Sequence, residues 1–170
     1  MSFIRLCNGE AHQLGKPFTP DIETIASALS HVNRFNGHVG VYSVAQHCAL
    51  VALQLPRHLR LAGLLHDAPE AYLGDVTSPL KAMLPEYKAI EDVYHDIIDD
   101  FFCVYTRHPE IKTADVRMLM TEVKSFDIDP EGFPDAPPFD FKIAKLPPEM
   151  ARDMFLTVFY TLQDRPPHLV

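Results

Sequence analysis

The dipeptide His66-Asp67 closes an apolar run, Leu59-Arg60-Leu61-Ala62-Gly63-Leu64-Leu65, that otherwise reads as a buried helix. An imidazole and a carboxylate at the end of such a run need a partner, and a divalent metal is a common one. His47 upstream and Asp115 downstream each fall on the apolar face of their own helical segment, so three segments can converge on one ion. Taken singly, each residue has an ordinary explanation. His47 fits a hydrogen-bonded core histidine, His66 and Asp67 fit a helix end, and Asp115 fits an acidic residue favoured in a first helical turn by the macrodipole. Together they make a His, His, Asp, Asp metal site the simpler account.

The elements that must position these groups are helical. Asp21 caps a pattern through about Val32 with Ile22, Ile25, Ala26 and Leu29 on one face. Ser43 caps a second helix to about Leu55, whose stripe Val44, His47, Cys48, Val51 and Leu55 points His47 inward. Residues 57 to 68 are apolar nearly all round and predict a central helix, with Pro69 bending it or opening a new turn. A loop with Gly74-Asp75 and Ser78-Pro79 leads to Pro85, which starts a long helix to about Val104. Its stripe Tyr87, Ile90, Tyr94, Ile97 or Ile98, Phe101 and Tyr105 is expected to face the core, with Glu91, Asp92, His95 and Asp99 on the wet face. Thr113 caps a helix to about Phe126 that aligns Asp115, Met118, Leu119, Glu122 and Phe126. A proline- and aspartate-rich loop spans residues 127 to 148, before a last helix with Met150, Met154, Val158 and Leu162 inside. Asn8-Gly9 within residues 1 to 20 suggests a small hairpin or an extended arm. The fold class expected is all-α, a helical bundle with a possible short N-terminal hairpin, in one domain over residues 1 to 170.

Composition narrows the function classes. With 47% apolar and 22% charged residues the chain reads as a globular domain whose core needs no metal, so a metal here is functional rather than structural. No stretch has the apolar length of a membrane span, and the N-terminal residues lack the apolar core of a secretory signal. Cys7, Cys48 and Cys103 form neither a disulfide framework nor a CxxC site, so a reducing, cytoplasmic setting is expected. A net charge of −8 argues against a polynucleotide partner. A small anionic substrate remains compatible, given local positive charge from a metal and a few cations.

Five segments carry a resemblance to a known family: Arg34-Phe35-Asn36, Tyr42-Ser43-Val44-Ala45-Gln46-His47, Leu64-Leu65-His66-Asp67-Ala68-Pro69-Glu70, Gly74-Asp75 with Ser78-Pro79-Leu80-Lys81, and Ala114-Asp115. In this order and spacing the chain resembles the HD-domain metal-dependent phosphohydrolase superfamily, and within it the compact 5′-deoxynucleotidases of the YfbR type and phage-associated single-domain HD hydrolases. The resemblance implies an HD-type helical bundle and one divalent ion (Mn, Co, Zn, Fe or Mg) held by His47, His66, Asp67 and Asp115. Such an ion polarises a phosphoryl oxygen and lowers the pKa of a bound water. It further implies proton transfer by Glu70, one turn beyond His66, and a role for Asp75 near the nucleophilic water or the substrate. Arg34 corresponds to a phosphate-binding arginine, whose guanidinium fork suits a dianion. Phe35 is placed to stack on sugar or base, and Lys81 is a second candidate cation.

The chain also departs from those enzymes. They carry Arg-Trp where this chain has Arg34-Phe35 and no tryptophan at all, and the interval from Asp67 to Asp115 is shorter. His95 and His108 lie where some HD proteins place ligands for a second metal. Here His95 falls on the acidic wet face and His108 precedes Pro109 in a connection, so a single metal is expected. The function expected is hydrolysis of small nucleotides, foremost deoxynucleoside 5′-monophosphates, by a cytoplasmic enzyme that forms a homodimer or higher homo-oligomer. The alternatives are a deoxynucleoside triphosphate triphosphohydrolase and a non-catalytic nucleotide-binding helical module. Glu70, Asp75 and Arg34 favour an enzyme, because a structural metal site needs only closed ligation.

Overall fold

Helix α1 (Ile22–His31) begins where the Asp21 carboxylate accepts the Thr24 amide at 2.9 Å, and α2 (Val44–Gln54) begins where the Ser43 hydroxyl accepts the Gln46 amide at 3.2 Å. Both caps satisfy amides that the helix itself leaves unpaired. These elements belong to a computed structural model that describes residues 3–163, so the ends of the expected 1 to 170 domain lie outside the described residues. The remaining helices are α3 (Arg60–Leu64), α4 (Glu70–Leu73), α5 (Ser78–Lys81), α6 (Pro85–Phe102), α7 (Pro109–Ser125) and α8 (Pro148–Gln163). Two short antiparallel strands, β1 (Ile4–Arg5) and β2 (Ala11–His12), form the N-terminal hairpin with Ile4 opposite His12. Gly9 supplies the positive φ of +88° that its turn requires. The fold is all-α with a short hairpin, as the periodicity predicts.

Helix α2 is the centre of the molecule. It packs against α1, α3, α7 and α8, and its residues feed two clusters of buried side chains. Ala45, Cys48 and Ala49 join Ile25, Leu64 and Phe155 in one. Val51 and Leu55 join Tyr42, Ile111 and Met118 in the other. Small residues on α2 let its neighbours approach closely from several sides. Gly63 of α3 is one such approach, since a Cβ there would stand 2.2 Å from Leu55 Cδ1.

Several expectations are corrected. The segment 57 to 68 is not one central helix: a 3₁₀ turn over Arg57–Leu59 leads into α3, which stops at Leu64, so His66 and Asp67 sit in turns rather than on a helix. Pro69 opens α4 instead. Helix α6 buries Tyr94 and Ile98 as expected but exposes Ile90, Val93 and Phe101, as does Tyr105 beyond its end, and it turns Asp99 inward. The reason is partnering. Glu91 pairs with Lys81 at 2.5 Å, His95 meets the Thr106 hydroxyl at 3.0 Å, and Asp99 accepts the Thr106 amide at 3.1 Å. Helix α7 starts at Pro109 with His108 as its cap, one turn before the expected Thr113. Helix α8 buries Ala151, Phe155 and Phe159, while Met150 is exposed. The long segment between α7 and α8 is pinned by buried polar side chains: Gln46 donates to Ala144 O at 2.7 Å, and Ser125 accepts the Ile143 amide at 3.0 Å.

Candidate functional site

The four expected ligands come together. His47 Nε2 lies 3.2 Å from Asp115 Oδ1 and 3.8 Å from Asp67 Oδ2, and His66 Nε2 lies 3.2 Å from Asp67 Oδ2 and 3.9 Å from Asp115 Oδ1. Metal bonds of about 2.0–2.2 Å hold neighbouring ligand atoms roughly 3 to 3.6 Å apart, so this spacing suits one divalent ion. The ligand-competent atoms of His47, His66 and Asp67 all fall within 4.8 Å of one another. Three elements supply the cluster: α2, the turn after α3, and α7.

The histidine tautomers follow from their anchors. His47 Nδ1 lies 2.5 Å from Glu122 Oε1, and His66 Nδ1 lies 2.8 Å from the Gly63 carbonyl. Both partners only accept, so each ring donates from Nδ1 and turns the Nε2 lone pair toward Asp67 and Asp115. Both Nε2 atoms are buried without a hydrogen bond. Buried imidazole nitrogens with lone pairs aimed at two carboxylates are the condition that a bound cation satisfies, so the residues present fit a divalent metal.

Glu122 is the member that periodicity alone did not single out. It is fully buried, and besides His47 it accepts from the Tyr42 hydroxyl at 2.8 Å and from Arg34 Nε and Nη2 at 3.1 and 2.8 Å. Asp115 and Glu122 are seven residues apart, two turns of α7, so one helix face grips the His47 ring at both nitrogens. The signal was a carboxylate on an otherwise apolar stripe. Burial would raise the Glu122 pKa, but Arg34 and His47 outweigh it and hold the group below its ordinary value. Burial would raise Asp115 too, but the nearby His47 and His66 rings outweigh it and hold the group well below the usual range.

The other expected residues fall around this cluster. Glu70, in the first turn of α4, is buried with Oε2 unpartnered and Oε1 3.5 Å from Lys81. Burial, followed by the charges of Asp67 and Asp75, raises its pKa well above the carboxylate range. Asp75 follows Gly74 at the end of α4 and is also raised by burial, with Arg34 the leading opposing charge. Lys81 is held between Glu91 and Glu70. Arg34 sits in a tight loop in which Phe35 and Asn36 both take left-handed backbone conformations, at φ of 54° and 50°. Two guanidinium nitrogens of Arg34 are committed to Glu122 rather than presented as an open fork. The Phe35 ring packs toward the second cluster of buried residues, 5.7 Å from the Arg34 guanidinium carbon.

A cavity of about 260 Å³ opens onto the cluster. It is lined by His66, Asp67 and Asp115 of the cluster together with His95, Arg107, His108 and Lys112. The expected substrate residues Arg34, Phe35 and Lys81 and the expected catalytic residues Glu70 and Asp75 are not among those lining it. His95 and His108 are, although the sequence pattern assigned one to a wet face and the other to a connection.

A buried His and Asp cluster inside an all-α fold defines the class as a helical protein with a candidate metal centre. The chain is 34% identical to the uncharacterized protein YfdR of Escherichia coli over 175 aligned residues, which cover 96% of this chain and 97% of that one, and it belongs to the YfdR family. It is also 41% identical over 87 residues to the uncharacterized protein RCAP_rcc00048 of Rhodobacter capsulatus, a match covering 45% of this chain and 44% of that protein. No family model matches the chain. No described helix is long and apolar enough to cross a membrane.

Proposed function

We propose that this chain is a divalent-metal-dependent phosphohydrolase of the HD type, acting on small nucleotides and foremost on deoxynucleoside 5′-monophosphates. The observation that carries the reading is the matched anchoring of His47 and His66, whose buried, unpartnered Nε2 atoms face Asp67 and Asp115. The order His47, His66-Asp67, Asp115 with Glu70 and Gly74-Asp75 adds the resemblance to HD phosphohydrolases. His47, His66, Asp67 and Asp115 would hold the ion, which supplies Lewis acidity toward a phosphoryl oxygen and a more acidic water. Glu70, buried beside the cluster with a raised pKa, holds a proton on its carboxyl and passes it to the departing ester oxygen. Asp75 adds negative charge near Glu70 and helps keep that proton in place. Arg34 holds Glu122, and through it the His47 ring. A cavity of about 260 Å³ beside the cluster gives a small ligand access to it.

The test is a screen of chelator-treated protein reloaded with Mn²⁺, Co²⁺, Mg²⁺ or Zn²⁺ against deoxy- and ribonucleoside mono- and triphosphates. Orthophosphate from deoxynucleoside monophosphates is expected. Tripolyphosphate from triphosphates would replace the proposal with a triphosphohydrolase, and nucleotide binding without hydrolysis under any metal would replace it with a binding module. His47→Ala, Asp67→Ala and Asp115→Ala should each lower metal content and abolish hydrolysis. Full occupancy by elemental analysis in all three would remove the site.

A further inference from the structure

Four histidines border or line the space at this centre, and their anchors divide them into two kinds. His47 and His66 donate from Nδ1 to acceptors and so present lone pairs. His95 and His108 are anchored the opposite way.

His108 caps α7: its Nδ1 accepts the Glu110 amide at 3.2 Å. A ring nitrogen that accepts carries no proton, so the proton of the neutral imidazole is on Nε2. His95 Nδ1 lies 3.0 Å from the hydroxyl of Thr106. That hydroxyl is buried, and His95 Nδ1 is its one hydrogen-bond acceptor among the described residues. With the Thr106 hydroxyl donating to Nδ1, the neutral His95 ring carries its proton on Nε2 as well. The Thr106 amide is in turn held by Asp99 at 3.1 Å, which locks the corner between α6 and α7. Both rings line the cavity that His66, Asp67 and Asp115 also line.

We infer that His95 and His108 form an oxyanion subsite, presenting two Nε2–H donors to the oxygens of a phosphate group in the cavity they share with the candidate metal cluster. Lys112, paired with Asp115 at 2.8 Å, and Arg107, paired with Asp96, also line the cavity and add positive charge beside the two rings. The assignment rests on the proposed phosphohydrolase reading only for the source of that phosphate, which is either the substrate's own group or free orthophosphate.

The test uses His95→Asn and His108→Asn, singly and together. Asparagine keeps an acceptor near the Nδ1 position, for Thr106 in one case and as a favoured helix cap in the other, and removes the Nε2 donor. In long-range ¹H–¹⁵N spectra of the unsubstituted protein, both rings should show the Nε2–H tautomer. In Zn²⁺-loaded protein, inorganic phosphate affinity by calorimetry should fall about tenfold per ring removed, with metal content unchanged. A parallel rise in KM for deoxynucleoside monophosphates assigns the subsite to the substrate, and an effect on inorganic phosphate alone assigns it to free phosphate; either upholds it. An Nδ1–H tautomer in either ring, or unchanged phosphate affinity in the folded, metal-loaded double variant, overturns it. Phosphate binding that depends on both rings in a protein that hydrolyses no nucleotide would sink the proposed function and leave the subsite standing.

Discussion

At the residue scale, Glu122 governs how much of the centre is preformed. It is a buried carboxylate shared by an imidazole, a phenol and a guanidinium, and such outer partners orient metal ligands and tune their basicity. Glu122→Gln keeps an acceptor for His47 but removes the charge, so metal affinity should fall about 10- to 100-fold in a competitive chelator titration. Unchanged affinity would mean that the His47 ring holds its orientation without that charge. Glu70 tests a different step. Glu70→Gln preserves shape and removes the titratable proton, and should leave metal and nucleotide binding intact while lowering kcat on the order of a hundredfold or more. Loss of metal in this variant would make Glu70 a ligand; full activity would pass the proton-transfer role to Asp75.

Element packing decides whether these residues meet. Helix α3 approaches α2 through Gly63, whose carbonyl also anchors His66. Gly63→Ala gains up to about 1 kcal/mol in helix propensity but overpacks Leu55, which costs about 1–3 kcal/mol in a buried setting. We expect net destabilisation in denaturant unfolding, and a smaller penalty when the same change is made in a Leu55→Ala background, because the two sites couple. Additive penalties would place the strain elsewhere. The N-terminal hairpin is fastened by His12, which meets the Tyr94 hydroxyl at 2.7 Å among the rings of Phe18 and Tyr72. Burial lowers the His12 pKa, so the unfolded chain takes up a proton at higher pH than the folded one. Its contribution is complete above the ordinary histidine value of about 6.5 and is lost as pH falls from there toward the folded value. His12→Gln keeps a polar partner for Tyr94 and does not titrate, so between about pH 7 and pH 5.5 its Tm should fall less than that of the unsubstituted protein. Parallel declines would refute the assignment.

For the whole molecule, apolar side chains pack into clusters on either side of α2, so on the proposed reading the chain folds without the ion and is stabilised by it. At a metal concentration a hundred times Kd the stabilisation is about 2.7 kcal/mol, which for a chain of this size raises Tm by roughly 5–10 °C. Chelation should lower Tm by that amount while the far-ultraviolet circular dichroism at 20 °C stays the same. A chain that loses its helices on chelation would instead hold the metal structurally. Because binding requires both His47 and His66 neutral, affinity should weaken as pH falls.

The all-α class, the caps at Asp21 and Ser43, the inward His47 and the positions His47, His66, Asp67 and Asp115 that the fold brings together were legible in the sequence. Each of these is a local matter of periodicity or of an amide needing an acceptor. What depended on distant partners was not. Helix α6 reads as amphipathic with Ile90 and Phe101 inside, yet the tertiary structure keeps Tyr94 and Ile98 of that stripe buried, exposes Ile90 and Phe101 and turns Asp99 inward, because Lys81 and Thr106 give its polar face partners that hydrophobicity cannot weigh. Glu122 was visible as a carboxylate on an apolar stripe, but its grip on His47 needed Arg34 and Tyr42 brought from the loop before α2. Sequence spacing alone cannot distinguish a histidine that presents a lone pair from one that presents a proton. That distinction lies in whether the far nitrogen faces Glu122 and a carbonyl or Thr106 and an amide, which only the assembled fold determines.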